Sequence, residues 1–307
     1  LNNIAYKNSY DFCESLKIFL NEYFRLNFVP QDLKLGKGQR VTAGEILDLF
    51  NKSYQNKTPA VRIDWICDYI VDKFDLPNNT DLIARIKKQL FGFYSQNDII
   101  KIYSEFLEYI GMEFSYNKNG MLKYEDISAV WYIKNYYLGS EKENKVKYLI
   151  IDEMQDYSFV LYEIFNQKFD CQKTVLGDIN QCIEKVMTPE DLQKLYEVLG
   201  GKLYELNKTY RSTYEINEFA EKIKGLDYDK VERHGKTVEV YKYKTKADKL
   251  KKIKTMLSEK NSFKYTAILC KDTKTCEELH SGLNDERVKL LTNNSEEYAP
   301  VMVMPIA

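Results

Sequence analysis

What the chain lacks narrows it first. Its six cysteines, Cys13, Cys67, Cys171, Cys182, Cys270 and Cys276, form no CxxC pair, which suits reduced cytoplasmic thiols better than a disulfide framework or a zinc site. Histidine is nearly absent: His234 and His280 are the only two, and neither sits in an acid–Ser or Cys arrangement, so both read as surface residues. Cys276 and His280 lie one helical turn apart, a spacing that can bind metal, but a second ligand pair is missing. No apolar run approaches the roughly 20 residues of a membrane helix, so no membrane partner is expected. The opening LNNIAYKNSY has neither the charged start nor the apolar stretch of a signal peptide. An excess of one charge is missing too. Lys and Arg number 45 against 46 Asp and Glu, net −1, so any contact with a polyanion has to come from a local patch. There is no repeat or low-complexity tract, and no initiator Met, which leads us to expect a fragment.

What is present suggests about two domains: 307 residues with 44% hydrophobic and 30% charged content. Residues 1–115 read as an all-helical domain. SYDFCESLKIFLNEYF, AGEILDLFNKSY, AVRIDWICDYIVDKF, TDLIARIKKQL and DIIKIYSEFLEYI each space apolar residues three and four apart. Pro30, Gly36 with Gly38, Pro59 and PNNTD punctuate them, and Gly36–Gly38 reads as a turn. After Gly120 the period changes. A helix at KYEDISAVWYIKNYYLG precedes short apolar runs, KYLIID and KTVLGD, each followed by a helical pattern, which is the signature of an α/β fold with parallel strands. From residue 213 the alternation resumes as TVEVYKY, a Lys-rich helix KADKLKKIKTMLSEK, YTAILCK, TKTCEELHSGL, RVKLLT and APVMVMPIA.

The stretch YLIIDEMQDYS, Tyr148–Ser158, puts three acids at the end of an apolar run. Functional groups of parallel sheets gather past the carboxyl ends of their strands. There Asp152 could hold a hydrated Mg²⁺, a cation that prefers carboxylate, water and phosphate oxygens, and Glu153 could activate a water for in-line attack. The same acids also suit an exposed helix start, where the positive end of the helix dipole favours them. A second apolar run, TVLGDINQ, ends in Gly177, Asp178 and Gln181, and LNKTYRSTYEI follows.

In that order and spacing, DEMQD, LGDINQ and TYRST resemble motifs II, III and IV of the UvrD/Rep-type superfamily 1 helicases, whose catalytic domains are P-loop NTPase (RecA-like). By that resemblance Asp152 holds Mg²⁺, Glu153 is the general base, and Gln155 couples the nucleotide to the neighbouring domain. Gln181 senses the γ-phosphate with Asp178 in the same nucleotide-binding set, Tyr210 stacks on the adenine of ATP, and Arg211 reaches the γ-phosphate. Bland alternatives stay open: Tyr210 as a core aromatic, Arg211 as a surface ion pair, Gln181 as a cap. The YEDISAVWYIKNYYLG segment and the DYS after the acids resemble the HelD branch of the same superfamily. The resemblance implies three parts: a 1B-like helical domain at 1–115, the C-terminal part of RecA-like domain 1A at 116–210, and the first part of domain 2A at 211–307. It implies an ATP-dependent, cytoplasmic, monomeric helicase or translocase with DNA as partner, or a HelD-like module that binds RNA polymerase.

Two departures qualify this. Glu184 and Val186 stand where UvrD and Rep carry base-stacking aromatics, and stacking is worth roughly 1–3 kcal/mol per base. No GxxxxGK[ST] occurs anywhere in the chain; GKGQRVTAGE, from Gly36, is the nearest glycine-rich segment, and no apolar strand precedes it. The chain alone is therefore expected to be catalytically inactive, and a Walker-A-free scaffold is a further alternative. The helical domain, which has no catalytic constellation, is expected to serve partner binding. The Lys-rich run from Lys242 to Lys254 reads either as a phosphate-contacting surface or as the solvated face of a helix.

Overall fold

The computed structural model describes residues 3–36, 38–52, 57–77, 79–182, 188–206, 208–225, 229, 231–259, 264–291 and 299–306. They form a mixed α/β chain in two compact units, Leu1–Tyr204 and Glu205–Ala307. Among the described residues no helix is long and apolar enough to cross a membrane.

The first unit opens with α1 (Asn3–Lys7) and α2 (Tyr10–Leu26). The side chain of Ser9 accepts the Phe12 amide at 3.2 Å and caps α2. Phe12, Leu16, Leu20 and Phe24, each one turn from the next, form its buried stripe. Then follow β1 (Leu33–Gly36), β2 (Gln39–Val41), α3 (Ala43–Lys52), α4 (Pro59–Lys73), α5 (Thr80–Phe91), α6 (Ile99–Tyr109) and α7 (Tyr124–Leu138). The antiparallel β1–β2 hairpin corrects the all-helical expectation for residues 1–115. Its cause is local: Gly36 and Gly38 adopt φ of +96° and +76°, which glycine alone reaches without strain and which reverses the chain. Among the described residues β3 (Tyr148–Ile151), a 3₁₀ turn at Met154–Asp156, α8 (Phe159–Lys168), β4 (Gln172–Val175), a second 3₁₀ turn at Ile179–Gln181 and α9 (Pro189–Leu199) follow.

One hydrophobic cluster runs from Phe12 to Leu195 and takes in the helices and the strand pair alike. It therefore crosses residue 115, and the helices α1–α6 and the β3–β4 pair share one compact unit. Aromatic contacts knit it: Phe28 stacks on Phe50 at 4.0 Å and Phe24 on Tyr137 at 5.0 Å. Within the core Asp126 accepts hydrogen bonds from Lys7 and from the Tyr103 hydroxyl, all three side chains being buried. Strands β3 and β4 pair in parallel, Ile151 opposite Val175. Tyr148 and Ile150 leave the opposite face of β3 about 70% exposed, whereas Ile151 faces the core.

The second unit contains α10 (Tyr214–Lys224), α11 (Lys246–Ser258), β5 (Thr266–Cys270), α12 (Thr273–Leu283), β6 (Val288–Leu290) and β7 (Val301–Pro305). Its three strands are parallel in the order β5-β7-β6, and Cys270, Cys276, Leu279, Leu283, Val288 and Val303 form its core. The strand expected at TVEVYKY is absent. Val238 and Val240 alternate with polar residues as a strand requires, but alternation specifies a backbone preference, not a partner; residues 237–243 join no ladder, and Val240 is exposed.

Candidate functional site

Because β3 and β4 are adjacent and in register, the loops after them start side by side. The amide of Met154 donates to the carbonyl of Leu176 at 2.9 Å, tying the first loop to the second. The approach is close enough that Gly177 has no room for a side chain: a Cβ there would lie 2.5 Å from Met154 Cγ and 2.6 Å from Gln155 Oε1. Space, not backbone conformation, demands this glycine. Below the turn the buried hydroxyl of Tyr162 donates to the Met154 carbonyl at 2.8 Å and anchors it to α8.

Five of the seven site residues expected from the sequence come together here. Glu153 adopts the left-handed region, φ +51°, ψ +52°, a conformation that is uncommon for a non-glycine residue and that concentrates at functional sites. Its amide donates to Asp152 Oδ1 at 2.9 Å. Gln155 is 4% exposed and spends both ends of its amide across the gap: Nε2 donates to Glu153 Oε2 at 2.7 Å, and Oε1 accepts the Asp178 amide at 3.1 Å. Asp178 in turn caps the short turn Ile179–Gln181, accepting the Asn180 amide on Oδ1 at 2.8 Å and the Gln181 side-chain amide on Oδ2 at 3.2 Å. The result is a hydrogen-bonded chain Glu153–Gln155–Asp178–Gln181, with the exposed carboxylate of Asp152 beside its start.

The side chains gathered here offer carboxylate and carboxamide oxygens, the donor type that hard cations take. Among the described residues no three His, Cys, Asp or Glu side chains converge as a metal cage. A Mg²⁺ ion, which takes one or two carboxylates and completes its shell with water and phosphate oxygens, fits the exposed Asp152. Gln155 fixes the orientation of the neighbouring Glu153 carboxylate.

Tyr210 and Arg211 belong to the second unit and are both exposed. Lys208 Nζ lies 5.6 Å from the Tyr210 ring centroid. The segment that carries them is held from behind by residues 233–235. Arg233 donates to the Arg211 carbonyl, and the Tyr214 amide to the Arg233 carbonyl at 2.9 Å. Glu215 accepts from the Gly235 amide at 2.7 Å and pairs with His234 Nδ1 at 2.8 Å. The His234 contact first, and the Gly235 amide second, pull the Glu215 carboxyl from the usual 4.5 down to about 2. His280 Nε2 lies 3.1 Å from the Val288 carbonyl, and burial pushes the Cys276 thiol up to about 11. Residues 184 and 186 lie outside the described residues.

Sequence reasoning named Gly177 without its packing role and missed Tyr162 and the contacts of residues 233–235 with Arg211 and Glu215. Gly177 carried a signal, a glycine between an apolar run and an acid; the others are long-range contacts with none. No protein-family model matches the chain, and no curated protein matches it.

Proposed function

We propose that the chain carries the acidic half of a nucleotide site in an ATP-dependent nucleic-acid translocase of the UvrD/Rep superfamily, on P-loop NTPase (RecA-like) folds. The observation that supports this reading best is the Glu153–Gln155–Asp178–Gln181 chain across two adjacent parallel strand ends, beside an exposed Asp152. A surface acidic helix start does not need a buried glutamine bridging two loops, nor a glycine emptied of its side chain to let them touch.

In this reading Asp152 holds Mg²⁺, which when bound offsets charge on the phosphates of ATP. Glu153 accepts the proton of the attacking water. Gln155 fixes the carboxylate of Glu153 and, through Asp178, is linked to Gln181, which senses the γ-phosphate. Tyr210 stacks on the adenine and Arg211 meets the developing charge on the transferred phosphoryl group. DNA is the expected track, and the protein works in the cytoplasm as a monomer. A second reading, a nucleotide-gated arm that binds RNA polymerase, is favoured by Glu184 and Val186 in place of stacking aromatics.

The test is a titration of the isotope-labelled chain with Mn²⁺ and ATP. Paramagnetic broadening of the Glu153, Gln155, Asp178 and Gln181 amide signals is expected at millimolar metal, and Asp152→Asn should abolish it. Broadening that is absent, or equal in the variant, sinks the assignment.

A further inference from the structure

Helix α7 departs from the pattern of a surface helix. Such a helix turns an apolar stripe inward and polar residues outward, and α5 does so: its exposed positions include Asp81, Arg85, Lys88 and Gln89. The inner side of α7 is already covered, with Ala129, Tyr132, Ile133 and Tyr137 buried and α4, α6 and α8 packed against the helix. Its exposed side is apolar as well. Tyr124 is 84%, Ile127 47%, Trp131 37% and Leu138 52% exposed, and Lys134 is the one charged residue among the exposed positions of the helix.

We infer that this face docks a single α-helix of another protein, one that presents aliphatic side chains at heptad spacing and a carboxylate opposite Lys134. The inference goes beyond the translocase reading and does not depend on it.

The spacing identifies the kind of occupant. Positions 124, 127, 131, 134 and 138 are three, four, three and four residues apart, a period of 3.5, which is the seam along which one helix packs against another. A strand, whose side chains repeat every two residues, does not match it. The helix has 15 residues, so at 1.5 Å per residue the seam is about 22 Å long, the span of about four helical turns and too long for a small ligand. Apolar residues exposed singly are ordinary, whereas a contiguous row of them marks an interaction site. Tyr124, Ile127 and Trp131 are such a row, because residues three and four apart are neighbours on a helix surface.

The charge identifies the chemistry of the occupant. Lys134 forms no ion pair among the described residues. Covering the seam takes its ammonium out of water, which is costly unless a carboxylate meets it. A second copy of α7 brings to the seam another lysine and no acid, since the five positions are Tyr, Ile, Trp, Lys and Leu. Asp126 is spent in the core on Lys7 and Tyr103. The acid is therefore assigned to a different helix, placed among its aliphatic seam residues. Around it Ile127, Trp131 and Leu138 supply the apolar contacts, and Trp is among the residues that most often anchor interfaces.

The experiment uses the full 307-residue chain with Trp65→Phe, which leaves Trp131 as its one tryptophan. The probe is a synthetic, stapled, monomeric helix of about three heptads, with leucine at its seam positions, glutamate at the one facing Lys134 and polar residues elsewhere. Docking should shift Trp131 emission to the blue and protect it from acrylamide. Anisotropy of the fluorescein-labelled probe gives affinity for chains that keep Trp65. Trp131→Ala should weaken binding at least about tenfold, and Tyr124→Ala, at the most exposed seam position and so without effect on folding, about threefold. Lys134→Glu should weaken it about fivefold or more, and a probe with lysine in place of its glutamate should restore it to within about twofold. Tyr196→Ala, on α9 and as exposed as Trp131, should leave affinity within about twofold. Circular dichroism verifies that each variant is folded. No binding of the probe, equal loss in Tyr196→Ala, or a charge swap that restores nothing overturns the inference. So does a chain that sediments as a dimer and loses the dimer in Trp131→Ala, which would make a second copy the occupant. A Trp131 shift that appears with phosphatidylglycerol vesicles and not with the probe overturns it too. None of these readouts involves metal or nucleotide, so the Asp152 titration can fail while the docking stands, and the reverse.

Discussion

Gly177→Ala is the sharpest probe of the way the two strand-end loops are joined. The added methyl would sit 2.5 Å from Met154 Cγ, 2.6 Å from Gln155 Oε1 and 2.7 Å from the Met154 amide nitrogen. The last is backbone, so the clash cannot be relieved by a rotamer change alone. Opening the loops would stretch the Met154–Leu176 bond of 2.9 Å and the Gln155–Asp178 bond of 3.1 Å. Overpacking costs about 1–3 kcal/mol and each net hydrogen bond about 1 kcal/mol, which places the total near 2–4 kcal/mol after partial relaxation. Both tryptophans, Trp65 and Trp131, lie in the first unit, so their fluorescence in urea follows that unit and not the second. With an m-value near 3 kcal/mol/M the midpoint should fall by about 1 M. Gly200→Ala supplies the contrast. Gly200 ends α9 at φ +63°, and a methyl added there would meet nothing within 4 Å, so the variant should lose only the left-handed strain, about 1–2 kcal/mol. A Gly177→Ala midpoint within about 0.2 M of the parent, or a larger loss at Gly200, would refute the close-approach argument.

Three further outcomes are expected. The isolated chain should release no phosphate from ATP above a Glu153→Gln control, because it has no GxxxxGK[ST] cradle to position the β- and γ-phosphates; turnover above that control contradicts this. Glu215, with its folded pKa lowered to about 2, adds stability to the second unit that is present above its ordinary 4.5 and lost as pH falls through 2. Carbon-detected NMR should find its midpoint near 2 and an upward move in His234→Ala, and an unmoved midpoint would dismiss the pairing as its main cause. In the core, Asp126→Ala leaves the buried Lys7 ammonium without its counter-charge, a loss of about 3–5 kcal/mol. Lys7→Met with Asp126→Leu should recover most of it by the same urea assay; a double variant as weak as the single would show that the pair itself is required.

The helices of the first 115 residues and both α/β alternations were legible because each is a local pattern. Ser9, Asn79 and Asp98 cap helices within three residues of themselves, and the apolar stripes repeat within a turn. The hairpin at Leu33–Val41 was hidden because its strands are three and four residues long, too short for alternation to register. The false strand at 237–243 failed the opposite way, with good alternation and no neighbour. At the site, the acids and Gln181 stood out as residue types after apolar runs. Their connection did not: that Gln155 joins Glu153 to Asp178 depends on β4 lying beside β3, a pairing that places residues 23 positions apart in contact.

The same non-local packing alters what the N-terminal helices are for. Read as sequence, they contain no catalytic constellation and invite the role of a detachable partner-binding arm. In the fold, α2 packs against α8, whose Phe159 and Tyr162 are buried, and Lys17 of α2 reaches Glu163 of α8 at 2.6 Å. Tyr10 meets Phe159 edge-on at 5.5 Å. Tyr162 is the residue whose hydroxyl fixes the Met154 carbonyl, one step from Glu153. The chain of support therefore runs from α2 through α8 to the turn that holds the acids, and removing the helices would uncover the apolar side of α8 before it removed any binding surface. The inner faces of these helices hold the turn of the candidate site in place.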